Sequence, residues 1–168
     1  EAWSLDEGIV KSGSFNIEQG VGVRALSGEK TAFAYSDDIS LTALQAAAGT
    51  TRAIAAAGAQ RLAPLLTRKK PPAALYVGDD PIASLDDAAK VKLLERLEAM
   101  ARTADPRVKE VMASVAGTWE VVLVARSDGQ MAADVRPLVR VSITVIMEDG
   151  AGTGRRREQG SSGGGGRF

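Results

Sequence analysis

The run from Val139 to Met147 constrains this chain most, because Val139, Val141, Ile143, Val145 and Met147 alternate there with Arg140, Ser142 and Thr144. A period of two places the two sets on opposite faces, which predicts a strand with a buried face and a wet one. Three similar runs precede it. Val108 to Ala116 puts Val111, Ala113 and Val115 on one face, and Trp119 to Ala125 does the same for Trp119, Val121 and Leu123. Met131 to Val135 is short, and Arg136-Pro137 breaks it. Ser127-Asp128-Gly129-Gln130 reads as a two-residue hairpin. Connections this short favour an antiparallel meander of four strands.

One helix accompanies that meander. Ser84-Leu85-Asp86-Asp87 fits a serine-x-x-acid capping pattern. Leu93, Leu94, Leu97, Met100, Ala101 and Ala104 then form a stripe opposite Lys92, Glu95, Arg96 and Glu98. Pro106 ends the helix, since the residue before proline avoids the α region. The class is therefore α+β.

An earlier unit, residues 1–58, has the same character. Trp3, Leu5 and Ile9 mark a strand within Glu1 to Val10, and Gly8, Gly13 and Asn16 mark turning backbone. Val21, Val23 and Ala25 alternate with Gly20, Gly22 and Arg24. Ser27-Gly28-Glu29 turns the chain, and Thr31, Phe33 and Tyr35 return on one face with Ala32 and Ala34 on the other. Ser40 is a good N-cap for a helix carrying Leu41, Leu44, Ala48, Thr51 and Ala55, and Gly58 is its natural stop. Residues 59–83 read as a linker, with Pro64, Pro71, Pro72 and Pro81 around the basic cluster Arg68-Lys69-Lys70. The second unit covers residues 84–150. Residues 151–168 read as a tail holding Arg155-Arg156-Arg157 and the run Gly163-Gly164-Gly165-Gly166. That run is a flexible loop or a loop of close approach to a ligand.

Composition narrows the chemistry. The 168 residues contain no histidine and no cysteine. Zinc sites are built mainly from imidazole and thiolate, so no metal ligand set is expected here. Nucleophile–histidine triads are excluded outright. Carboxylate-only or Ser–Lys chemistry stays open. Lys+Arg and Asp+Glu balance at 21 each, which favours neither nucleic acid nor an anionic membrane. The apolar runs stop well short of a membrane span and no signal peptide is visible, so a cytoplasmic location is expected. The chain opens at Glu1 without methionine inside a strand-like segment, and it stops just after a glycine run. Those ends are the ones expected of an internal piece of a longer protein.

Several phrases together resemble one family. Gly8-Ile9-Val10-Lys11-Ser12-Gly13-Ser14-Phe15-Asn16-Ile17 is followed by Gln19-Gly20-Val21-Gly22-Val23-Arg24-Ala25 and by Ser27-Gly28-Glu29-Lys30-Thr31 with Phe33-Ala34-Tyr35. Later come Ala132-Ala133-Asp134-Val135-Arg136-Pro137-Leu138-Val139-Arg140 and Ser162-Gly163-Gly164-Gly165-Gly166-Arg167-Phe168. Together these resemble the TldD/PmbA family, closer to its TldD branch, over nearly the whole chain. The resemblance implies a zinc metallopeptidase that matures or degrades small peptides and unfolded proteins, also described as a modulator of DNA gyrase. It implies pairing with a PmbA-like (TldE-like) paralogue that lacks the metal, with self-association as the alternative partner. The family's HExxxH motif and a further cysteine ligand lie beyond the glycine-rich phrase, so no catalytic residue and no metal ligand carries over. A helix and strand that precede Glu1 in the family fold are missing from the first unit. The segment is expected to be inactive alone, and Gly163, Gly164, Gly165, Gly166 and Arg167 are its candidate substrate-proximal residues.

Functional readings compete with structural ones at a few more positions. An extended peptide can add to a sheet edge through main-chain hydrogen bonds, which suits a varied, unfolded substrate. Arg136 and Arg140 either flank a proline-broken edge or contact substrate or a downstream domain. Trp3 and Trp119 read as sheet packing, with peptide stacking as the alternative. The alternative to a peptidase scaffold is a protein-interaction module of antitoxin or gyrase-modulator type. Nucleic-acid binding is disfavoured.

Overall fold

The computed structural model describes residues 1–55, 76–148 and 154–166. It is α+β, with strands β1 (Ala2–Asp6), β2 (Ile9–Ser14), β5 (Val108–Ala125), β6 (Met131–Glu148) and β7 (Arg155–Gly164) in one antiparallel sheet of order β2-β1-β5-β6-β7, and β3 (Val21–Ser27) with β4 (Lys30–Ser36) in a separate two-stranded sheet. The chain divides into two compact units, one of Glu1–Phe15 with Leu65–Phe168 and the other of Asn16–Pro64.

The larger unit opens on β1 (Ala2–Asp6) and β2 (Ile9–Ser14). The apolar pattern predicts one strand there; the chain instead reverses at Glu7-Gly8, both at positive φ. β1 then pairs with the far-off β5, Leu5 opposite Ala113 and Trp3 opposite Val115. This ties the first fifteen residues to the second half of the chain rather than to the helix that follows them.

The four predicted strands of the meander fuse into two, β5 (Val108–Ala125) and β6 (Met131–Glu148). Pro137 lies inside β6, opposite Trp119. It is tolerated because β7 (Arg155–Gly164) pairs with β6 only from Val139 onward, so no ladder partner claims a donor at Pro137 on that side. The hairpin loop is longer than predicted. Gly129 N–H donates to Arg126 O at 3.0 Å, Arg126 N–H donates to Gln130 O at 2.8 Å, and Gly129 has φ 85. That is a three-residue loop closed by a left-handed glycine.

Helix α2 (Asp87–Ala104) packs on this sheet. Its N-cap is Asp86, whose carboxylate accepts from Ala89 N–H at 2.7 Å. Ser84, the predicted cap, sits instead in a short 3-10 turn (Ile82–Ser84), its hydroxyl donating to Pro81 O at 2.6 Å. Asp105 is extended just past the helix, as a residue before proline should be. The buried line of α2 runs through Lys90, Leu94 and Glu98, not through Met100, which is 57% exposed. Glu98, expected on the wet face, is buried because Arg102 reaches it at 2.9 Å and links it to Glu7 at 3.0 Å. Leu94 meets Leu5, Ala113 and Val115 in the core, with Trp3, Leu93, Leu97 and Val141 around them. Burying a leucine fully contributes about 2 kcal/mol.

The smaller unit holds the hairpin of β3 (Val21–Ser27) and β4 (Lys30–Ser36) under α1 (Leu41–Ala55). Its faces are those predicted: Ala32 is buried, while Phe33 and Tyr35 are exposed on the other side. Ser40 caps α1, accepting from Ala43 N–H at 3.2 Å. Gly58, Pro64, Pro71, Pro72 and Arg68-Lys69-Lys70 lie outside the described residues.

Candidate functional site

The glycine-rich phrase is not a free tail. It lies in and just beyond β7, an antiparallel partner of β6 and, among the described residues, an edge of the five-stranded sheet. Nothing in the composition of β7 favours a strand. What holds it is β6, half-buried along most of its second half and apolar on the α2 side, which pairs with β7 from Val139 opposite Gly164 to Glu148 opposite Arg155.

The candidate residues fall at one end of that edge. Gly163 and Gly164 stand opposite Arg140 and Val139. Gly165 lies against the Tyr76 ring, where a side chain would collide. Gly166 has φ 143, and its N–H donates to Pro137 O at 3.4 Å. Arg167 lies outside the described residues. At Gly163 an added methyl would stand 2.9 Å from the Val139 carbonyl oxygen, so glycine is needed there for close approach of backbones.

Position along β7 divides the edge by chemistry. Arg155, Arg156, Arg157 and Glu158 charge its first part, and Gln159-Gly160-Ser161-Ser162-Gly163-Gly164 leaves the rest with little side-chain bulk. The sheet face opposite α2 continues the small polar character inward. One serine from each strand lines up across it: Ser12, Ser4, Ser114, Ser142 and Ser161. Ser4 and Ser12 hydroxyls are 2.7 Å apart. Sequence reasoning singled out the glycines and missed both the strand and the serine row, because cross-strand neighbours are fixed by register and not by spacing along the chain.

The other candidates separate. Arg136 is held by Asp134 at 2.9 Å, with Glu120 at 3.8 Å, and the Asp134 hydrogen bond raises its pKa. Arg140 is exposed and has no ion pair among the described residues. Trp3 packs against the core and covers Gly13, and its indole N–H donates to Glu1. Trp119 is 43% exposed, and its indole N–H donates to Gly78 O at 3.2 Å.

Histidine and cysteine are missing from the sequence, and no group of three or more acidic side chains comes together among the described residues. The donor set does not fit zinc.

The comparisons with known proteins bear on the whole chain. Residues 80–168 match the family profile described as the PmbA/TldA metallopeptidase central domain, and residues 1–57 match domain 1 of the same family. The chain belongs to the PmbA/TldD metallopeptidase family. A "Metalloprotease TldD homolog" from Haemophilus influenzae is 46% identical over 100% of this chain, which spans 34% of that relative's length. A protein of the same name from Buchnera aphidicola is 39% identical over 99% of the chain and is likewise covered to 34%. The chain thus spans about a third of the relatives it matches. Among solved structures, a candidate modulator of DNA gyrase from Bacteroides thetaiotaomicron superposes with TM-score 0.67 at 16% identity, covering 96% of this chain and 38% of its own. A second, from Thermotoga maritima, gives TM-score 0.65 at 14% identity, covering 99% and 36%. At such identities these structures bear on the fold alone. No helix among the described residues is long and apolar enough to cross a membrane.

Proposed function

We propose that this chain is the N-terminal, non-catalytic scaffold of a TldD-like zinc metallopeptidase that acts on small peptides or unfolded proteins in the cytoplasm. The observation that carries the proposal is the pairing of 46% identity across the whole chain with coverage of only 34% of the relative. The donor chemistry fits it: a chain without imidazole or thiolate cannot supply a zinc site of the usual kind, and the family's HExxxH motif would come from elsewhere in the polypeptide. The scaffold would contribute a peptide-binding edge. The outer side of β7 offers main-chain donors and acceptors beside glycine and serine, which lets peptides of varied sequence add as a further strand. Pairing with a PmbA-like, TldE-like paralogue, or with a second copy, belongs to the same proposal.

The deciding experiment compares the 168-residue chain with the full-length product of its gene. Elemental analysis should find zinc in the full-length protein alone, and only that protein should digest an unfolded substrate. One tightly held zinc per 168-residue chain, or proteolysis by it, would overturn the proposal. The competing reading is a non-enzymatic interaction module. It predicts a full-length protein that binds a partner yet digests nothing.

A further inference from the structure

β6 and β7 carry arginine at positions 136, 140, 155, 156 and 157. Arg136 is engaged by Asp134 and Glu120. Arg155 lies 3.1 Å from Glu148 and 3.2 Å from Glu110, and Arg156 lies 4.0 Å from Glu158. Arg140 and Arg157 are exposed and make no ion pair among the described residues. The register explains why. Arg140 stands opposite Gly163 and Arg157 opposite Ile146, which places both on the sheet face away from α2. The acids of β5, β6 and β7 on that face are Glu110, Glu120, Asp134 and Glu148, and each already faces Arg136 or Arg155. Among the described residues, two cations of β6 and β7 on this face are thus left without an ion-pair partner.

Their placement fits the edge. Arg157 is on β7 itself, and Gly163, six residues along the same strand, marks the level of Arg140. Six residues of strand span ~20 Å. Gln159 and Ser161, between them on this face, carry no charge. Arg140 is one strand in from the edge, and Gly163 has no side chain to stand in its way. Strands lie about 4.8 Å apart, so an added strand would run ~10 Å from the Arg140 Cα, within the joint reach of an arginine and a glutamate side chain.

We propose that the outer edge of β7 selects extended peptides that carry acidic side chains on the face of Arg140 and Arg157. This rests on the edge-binding reading above and adds a charge preference to it. Arginines on an edge also discourage strand pairing between copies of a protein. That role alone would not separate a glutamate peptide from its glutamine isostere.

The test uses fluorescein-labelled peptides of about eight residues in which threonine alternates with Glu, Gln or Lys. Their binding to the 168-residue chain is followed by fluorescence anisotropy. Two exposed charge pairs should make the Glu peptide bind about three- to ten-fold tighter than the Gln peptide. The gap should close at about 0.5 M salt, where the Debye length is a few ångströms. The double variant Arg140→Gln, Arg157→Gln should lose the preference and keep the affinity for the Gln peptide. Equal binding of Glu and Gln peptides, or a preference that survives in the double variant, overturns the charge selection while the edge reading stands. If no peptide binds, the edge reading itself falls and the selection with it.

Discussion

At the scale of single residues, the buried charges of the larger unit, Lys90 and Glu98 among the described residues, both have partners. Lys90 is 3% exposed, and its ammonium donates to both carboxylate oxygens of Glu1, at 2.9 and 3.0 Å. Burial pushes the Glu1 carboxyl up, but hydrogen bonds from Lys90 and Trp3 outweigh it, and the net shift is downward. Removing one partner leaves the other charge enclosed, so Lys90→Met should destabilise the chain by roughly 2–3 kcal/mol in chemical denaturation. Glu1→Gln in the Lys90→Met background should recover part of that loss; an unchanged double variant would mean the pair is not what Lys90 supports. Asp105 gives a sharper titration. Hydrogen bonds from the Arg107 side chain and backbone hold its carboxyl at about 2, below the usual 3.8. The stability it adds is complete above its unfolded value and is lost as pH falls through about 2, so little of it changes between about pH 4 and 8. Carbon-detected NMR should place the Asp105 midpoint near 2, and Arg107→Gln should move it back toward 3.8.

At the scale of elements, β7 depends on close backbone approach, and the paired glycines make that testable. A methyl at Gly163 meets the Val139 carbonyl at 2.9 Å, while one at Gly164 meets nothing within 4 Å. Gly163→Ala should therefore cost about 2 kcal/mol and loosen β7, as overpacking does. Gly164→Ala should stay within about 0.5 kcal/mol, the range of ordinary surface changes. Similar losses for the two would show that the strand is not seated as described. These elements also show what sequence can carry. Both helices and the β3–β4 hairpin were legible because their signals are local: a Ser40 cap, a leucine stripe, an alternation on either side of Gly28. The Glu1–Ser14 hairpin was half legible, since Gly8 marks the turn but pairing with Val115 lies about a hundred residues away. Arg136-Pro137 looked like a strand break because a proline disrupts a ladder only when a neighbour needs its N–H, and the end of β7 is invisible in the β6 sequence. β7 itself has no hydrophobic period, and its glycines and arginines spell a loop until β6 supplies the partner. The edge site was thus legible as residues and illegible as a surface.

At the scale of the molecule, the two compact units differ in what they bury. The larger holds Leu5, Leu94, Val111, Ala113 and Val115 at 3% exposure or less, a branched aliphatic core between helix and sheet. Among the described residues of the smaller, the buried ones are Ala32, Ala47 and Thr51. Its bulky apolar groups face outward, with Phe33 61%, Tyr35 65% and Leu26 68% exposed. Hydrophobic stabilisation scales with the apolar area removed from water, and alanine removes little. A two-stranded sheet with one helix is also near the lower limit for independent stability. The Asn16–Pro64 unit should therefore open at a lower free energy than the other. Native-state hydrogen exchange resolves the difference directly. Amides of β3, β4 and α1 should exchange through an opening at least ~2 kcal/mol easier than the one that frees β5 and α2, since the described residues of the smaller core include no fully buried leucine. A single common opening free energy for both sets would mean that the units unfold together and that the alanine core does not stand on its own. That outcome would also bear on the scaffold role, because only an independently opening Asn16–Pro64 unit can yield to a bound strand or partner without cost to the sheet that carries β7.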